Sequence, residues 1–162
     1  MSIYLGLGAN IPGPAGPPRA TLEAALARLE AAGIRIRRRS RWYRSPAWPN
    51  PADPEFVNAV IEVETDLNPH SLLQRLHAVE AALGRERSAP NAPRVIDLDL
   101  LDYHGAVEAG GPVLPHPRLH QRAFVLLPLA EIAPDWRHPV SRRAIRELIA
   151  ALGPETAAKP LE

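Results

Sequence analysis

An α+β fold of the ferredoxin-like βαββαβ type, with helices on one face of an antiparallel sheet and a ligand cleft on the other side, is predicted by three features of the 162-residue sequence. Four short segments rich in β-branched and aromatic residues read as strands. Two longer segments repeat apolar residues at helical spacing, and the six alternate as strand, helix, strand, strand, helix, strand. At this length one compact domain over residues 1–162 is expected.

The first strand is SIYLGL, ending at Gly6 and Gly8. From Thr21, read as an N-cap, Leu22, Ala25, Leu26 and Leu29 recur on one helix face until Gly33 stops it. Residues 34–44, IRIRRRSRWYR, alternate and read as one strand with a solvated face, and residues 56–65 form the third strand. Asn68-Pro69 opens a helix whose stripe is Leu72, Leu73, Leu76, Val79 and Leu83, ended by Gly84. Residues 94–103 are the fourth strand, His104-Gly105 a turn, and Ser141 is expected to cap a last helix carrying Ile145, Leu148, Ile149 and Leu152.

Composition narrows the chemistry. There is no cysteine, which removes thiolate catalysis, disulfides and thiolate metal sites and leaves His and carboxylates as ligands. The net charge of +1 calls for no polyanionic partner, and Lys159 is the only lysine beside many arginines. No signal-peptide pattern or membrane span is visible, so a cytoplasmic monomer is expected, with neither membrane nor nucleic acid as partner.

The stretch APRVIDLDLLDY places two acids in an aliphatic strand. Because side chains alternate, Asp97 and Asp99 share the face opposite Ile96, Leu98 and Leu100, with Cα atoms about 6.5 to 7 Å apart. Such a pair suits Mg²⁺ ions about 3.5 to 4 Å apart that bridge a substrate's phosphates. It is equally an acid pair on a solvated strand. Arg85, Arg87, Arg94 and Arg122 can reach the same sheet edge, where guanidinium forks match phosphate, although each singly is a surface arginine. His116, between Pro115 and Pro117, either donates to a phosphate or packs. Phe56 and Asn58 share a strand face and offer a ring and an amide to a flat heterocycle, or else are a core ring and an edge amide. GLGAN lacks the third glycine of a dinucleotide fingerprint and reads as a strand-end turn.

Four motifs in order, YLGLGAN, RSPAWPNPADPEFVNAVIEVET, VEAALGRERSAPNAPRVIDLDLL and LPHPRLHQRAFVLLPLAEIAPDW, closely resemble the 6-hydroxymethyl-7,8-dihydropterin pyrophosphokinases of folate biosynthesis, from Tyr4 to about Leu152. The resemblance implies a ferredoxin-like core and transfer of pyrophosphate from ATP to the pterin's hydroxymethyl group, with release of AMP. It further implies that Asp97 and Asp99 hold two Mg²⁺ ions and act in catalysis with Arg85 and Arg94. Glu80, Arg87, Leu100, His116 and Arg122 fall at nucleotide positions. Gly8, Ser45, Pro46, Trp48, Phe56, Asn58 and Phe124 fall in the pterin pocket, with Phe56 and Phe124 as the two rings that sandwich the pterin. Loops 11–18, 44–55 and 84–93 are candidate lids. Two departures stand out: Asn91-Ala92 precede Pro93-Arg94 where the family has an aromatic and a glycine, and Ala9 replaces a usual serine.

Two rival readings are distinguishable. A nucleotidyltransferase would use the same acids to attack the α-phosphorus and release pyrophosphate. An RNA-binding module would use the arginines of residues 34–44, with binding that weakens steeply with salt.

Overall fold

The computed structural model of the protein describes residues 2–47, 52–86, 93–153 and 158–161. Its elements run β1 (Ile3–Ala9), α1 (Pro18–Ala31), β2 (Arg35–Arg39), β3 (Tyr43–Ser45), β4 (Phe56–Glu64), α2 (Pro69–Ala82), β5 (Asp97–Tyr103), α3 (Ala123–Ile132), α4 (Ile145–Ala150) and β6 (Lys159–Pro160). All pairings are antiparallel: β1 lies between β5 and β4, and β4 pairs on its far side with both β2 and β3. That order, β5-β1-β4-β2, is the split βαβ arrangement expected from the sequence.

The stripes of α1 and α2 pack on one face. Ile3, Leu5 and Leu7 of β1 meet Leu22, Leu26, Leu29, Leu72 and Leu76, with Leu98 and Leu100 of β5 completing this core. Asn68 caps α2, accepting from the Ser71 amide at 2.8 Å, with Pro69 in the first turn. For α1 the expected Thr21 cap moves: the helix starts at Pro18, whose fixed φ suits a first turn, and Thr21 is buried inside it.

The other face is covered along part of its length, which the sequence did not foretell. Val125, Leu126, Leu129 and Ile132 of α3, with Ile145 and Leu148 of α4, form a second core against Tyr4, Val60 and Leu101. Leu101 reaches this side beside a register shift opposite Tyr4 and Leu5. The segment AFVLLPLAEI is apolar almost all round and contains Pro128, so it shows neither a one-sided stripe nor a clean helix signal. Helix α4 starts after Ala144, whose amide donates to Glu147, rather than being capped by Ser141.

The expected strand over 34–44 is two. Between them Ser40 takes over the ladder, its amide donating to the Val60 carbonyl and its hydroxyl accepting from the Val60 amide, both at 3.0 Å. The arginines of β2 are exposed and engaged with acids: Arg35 and Arg37 with Glu64, Arg38 with Glu62, Arg39 with Glu23. Each arginine of β2 thus has an acidic partner within the protein, with Arg35 and Arg37 sharing Glu64. No helix among the described residues is long and apolar enough to cross a membrane.

Candidate active site

Gly8 of β1 opens a trough on the sheet face that α3 leaves uncovered, while the Leu101 side chain lies over Gly6. Gly8 pairs with Asn58 on one side and Asp97 on the other, and Gly6 pairs with Val60 and Asp99. Side chains at these register positions share one face, so Phe56 and Asn58 stand on one bank and Asp97 and Asp99 on the other. With strands about 4.8 Å apart, the Asn58 and Asp97 backbones are roughly 10 Å apart across β1. A Cβ at Gly8 would come within 2.9 Å of Asn58 Oδ1 and 3.7 Å of the Phe56 ring. That close approach explains the glycine.

On the β4 bank, Asn58 is buried and donates from Nδ2 to Ser45 Oγ at 2.8 Å. Ser45 is itself buried opposite Phe56, and Pro46 beside it is exposed. Phe56 is half-buried. Phe124 comes from the start of α3, partly packed on the second core, with the Arg122 guanidinium 5.4 Å from its ring centre.

On the β5 bank, Asp97 is held by two arginines: Oδ1 accepts from Arg85 at 2.9 Å and Oδ2 from Arg94 at 3.0 Å. Behind them the buried Glu80 of α2 accepts from Arg85 at 2.7 Å and from the Leu98 amide at 2.6 Å. Only 6% of its side chain is exposed, so Glu80, placed near the nucleotide by the resemblance, faces Arg85 and the β5 backbone. Burial pushes its carboxyl up against the pull of those two donors. In Arg85 the charges of Glu80 and Asp97 outweigh burial and raise the guanidinium further.

Asp99 keeps 29% of its side chain exposed, yet protein crowds the carboxyl; that loss of hydration, then Asp97's charge, raises its pKa to about 7. Arg122 opposes the rise. His116 lies with Nε2 4.0 Å from Asp99 Oδ1. Burial, then Arg122, lowers its pKa to about 4, and Nδ1 accepts from the Arg118 amide, so the neutral ring carries its proton on Nε2. Burial also pulls Arg122 below the usual arginine range, against Asp99 and Asp97.

The structure therefore brings Arg85, Arg94, Asp97, Asp99, His116 and Arg122 to one bank of the trough, and Gly8, Ser45, Asn58 and Phe56 to its floor and other bank. The side chain of Leu100, expected at a nucleotide position, is buried in the α1/α2 core, because the two-residue period turns it away from Asp97 and Asp99. Arg87 and Trp48 lie outside the described residues, as do Asn91 and Ala92. Sequence reasoning passed over Asn10, a buried residue just after β1 that touches two of the loops around the trough. A polar side chain directly following a wholly buried strand was the available signal.

Among the described residues no group of three or more His, Asp or Glu side chains can hold a metal. Two carboxylates on one bank fit a hard cation that takes its remaining ligands from phosphate and water, which is how Mg²⁺ is usually held.

A family model described as 7,8-dihydro-6-hydroxymethylpterin-pyrophosphokinase matches residues 4–134. The chain is 46% identical over 153 residues to the 2-amino-4-hydroxy-6-hydroxymethyldihydropteridine pyrophosphokinase of Methylorubrum extorquens, covering 93% of each chain. It is 44% identical over 147 residues to the protein of that name from Synechocystis, covering 90% of this chain and 73% of the other. Among solved structures, wild-type HPPK-DHPS of Plasmodium falciparum superposes with a TM-score of 0.70 at 16% identity, over 93% of this chain and 41% of that one. A mutant of it with pterin and p-hydroxybenzoate gives 0.73 at 16%, over 92% and 43%. Those two share the fold, and the chain spans less than half their length. The match over residues 4–134 and the two relatives establish that the chain belongs to the 7,8-dihydro-6-hydroxymethylpterin-pyrophosphokinase family.

Proposed function

We propose that this chain transfers the terminal pyrophosphate of ATP to the hydroxymethyl group of 6-hydroxymethyl-7,8-dihydropterin in folate biosynthesis. The observation that carries the reading is the register Asn58–Gly8–Asp97, which sets a ring-and-amide bank opposite an acid-and-arginine bank with no side chain between. Family membership supplies the substrates.

The pterin hydroxyl oxygen forms a bond to the β-phosphorus as the bond from that phosphorus to the α-phosphate oxygen breaks. AMP leaves and the hydroxyl proton passes to solvent. Phosphoryl transfer of this kind asks for positioning and charge neutralisation. Asn58, held by Ser45, addresses the pterin edge, and Phe56 and Phe124 supply its stacking surfaces. Arg85, Arg94 and Arg122 address the triphosphate, and neutral His116 donates from Nε2. Glu80 aims Arg85. Asp97 and Asp99 would hold two Mg²⁺ ions, whose charge offsets that of ATP. Of the expected lids, the segment 11–17 between β1 and α1 would close over the substrates to exclude water; the other two extend outside the described residues.

The test is product identity: with ATP, Mg²⁺ and the reduced pterin, AMP and the pterin pyrophosphate are expected in equal amounts. Release of inorganic pyrophosphate instead would assign a nucleotidyltransferase, and no turnover would remove the enzymatic reading.

A further inference from the structure

We propose that Asn10 is a positioning residue that ties the pterin side of the site to the triphosphate side; this rests on the pyrophosphokinase reading above. Asn10 follows β1 and is 3% exposed. Its Oδ1 accepts from the Arg94 amide at 2.7 Å, and its own amide donates to the Arg94 carbonyl at 3.0 Å. The Arg94 residue is thereby gripped on both sides of its Cα. From the same side chain, Nδ2 donates to the Pro54 carbonyl at 3.1 Å. Pro54 lies two residues before Phe56, and Arg94 carries the guanidinium that bonds Asp97. One carboxamide thus joins segments that are 40 residues apart in the chain, as Pro54 and Arg94, at the end of the strand that floors the trough.

Only a side chain with an acceptor and a donor on one planar group satisfies both partners. Asp keeps the acceptor for Arg94 but sets an oxygen against the Pro54 carbonyl. Ala removes both contacts. The two variants therefore separate the two links, since Asp breaks the Pro54 contact alone and Ala breaks both.

Displacements on the order of 1 Å in a positioned group cost about 100-fold in rate, which sets the scale. In Asn10→Ala, kcat is expected to fall about 10- to 100-fold, through Arg94. In Asn10→Asp, kcat is expected to stay within about threefold while KM for the pterin rises about tenfold and KM for ATP holds, since the affected contact lies on the pterin side. Amide hydrogen exchange of the ligand-free proteins gives a readout independent of turnover. The Arg94 amide should exchange about tenfold faster or more in Asn10→Ala and remain protected in Asn10→Asp, while Phe56 and its neighbours loosen in both.

Equal kinetic losses in the two variants, wild-type kinetics in Asn10→Ala, or an Arg94 amide whose protection ignores the Ala change would each overturn the proposal. If Asn10→Ala does not fold, Asn10→Asp decides alone: a pterin KM left unchanged overturns the positioning role. A wild-type protein that forms no AMP sinks the pyrophosphokinase reading instead, and the exchange pattern still decides whether Asn10 joins the two loops.

Discussion

Arg94 donates from Nη1 to Oδ2 of Asp97 at 3.0 Å, three residues along the chain, while Arg85 holds the other oxygen. The pair is partly exposed, at 28% and 20%, so its contribution to folding is small, roughly 0 to 1 kcal/mol. Arg94→Ala is therefore expected to leave the melting temperature within a few degrees of wild type and to lower kcat by about 100- to 1,000-fold, the loss usual for a charge-stabilising group. Steady-state kinetics beside a thermal melt checks this. Full turnover in a folded Arg94→Ala would detach the arginine from the reaction.

Gly8 has room for no side chain. The Cβ of Gly8→Ala meets Asn58 Oδ1 at 2.9 Å and must push the amide away from Ser45. The expected result is a loss of about 1 to 3 kcal/mol in stability, as for other overpacked positions, with a raised KM for the pterin and little change in KM for ATP. Denaturant unfolding and two-substrate kinetics separate these effects, and equal changes in both KM values would contradict the placement of Asn58 on the pterin bank.

The second core carries a buried polar link whose loss should spare the chemistry. Trp136 Nε1 donates to Asp102 Oδ2 at 2.9 Å, while the Gly105 amide occupies Oδ1. Trp136→Phe leaves that buried oxygen without its donor, at a cost of about 1 to 3 kcal/mol. Turnover at saturating substrate should hold. A stability unchanged in urea titration would mean that the bond has no net worth.

His138 makes stability fall on the acid side. It is buried, and its Nδ1 accepts from the Val140 and Ser141 amides at 3.2 Å, contacts that require the neutral ring. Burial first, then His120 nearby, holds its pKa below the usual histidine value, although Asp102 pulls the other way. At neutral to alkaline pH both folded and unfolded forms are neutral; as pH falls below about 6.5 the unfolded chain takes up the proton first, and stability drops until the folded pKa is reached. His138→Asn keeps an acceptor and cannot titrate. Unfolding free energies measured from pH 8 to pH 5 should slope less steeply in that variant, and parallel slopes would refute the assignment.

Much of this was legible in the residues. The two-residue period placed Asp97 and Asp99 opposite Leu98 and Leu100, and α2 announced itself through Asn68, Pro69 and its apolar stripe. What stayed hidden depended on tertiary partners. Helix α3 has apolar residues all round because it is sandwiched between the sheet and α4, so periodicity was silent. The break between β2 and β3 depends on Ser40 bonding Val60, twenty residues away, and no local signal marks it. The resemblance put Glu80 and Leu100 near the nucleotide, while only the three-dimensional register shows which way each side chain turns.

The proposed reaction requires the acid pair on β5 to gather divalent ions around ATP opposite the pterin bank. It is tested most directly by titrating Mg²⁺ into ATP and the reduced pterin with wild-type protein and with the double variant Asp97→Asn, Asp99→Asn, following AMP. Saturable, Mg²⁺-dependent AMP formation by the wild type, and none at any Mg²⁺ concentration by a double variant that still melts cooperatively, is the expected result. AMP formation by the folded double variant with the same Mg²⁺ dependence would contradict it.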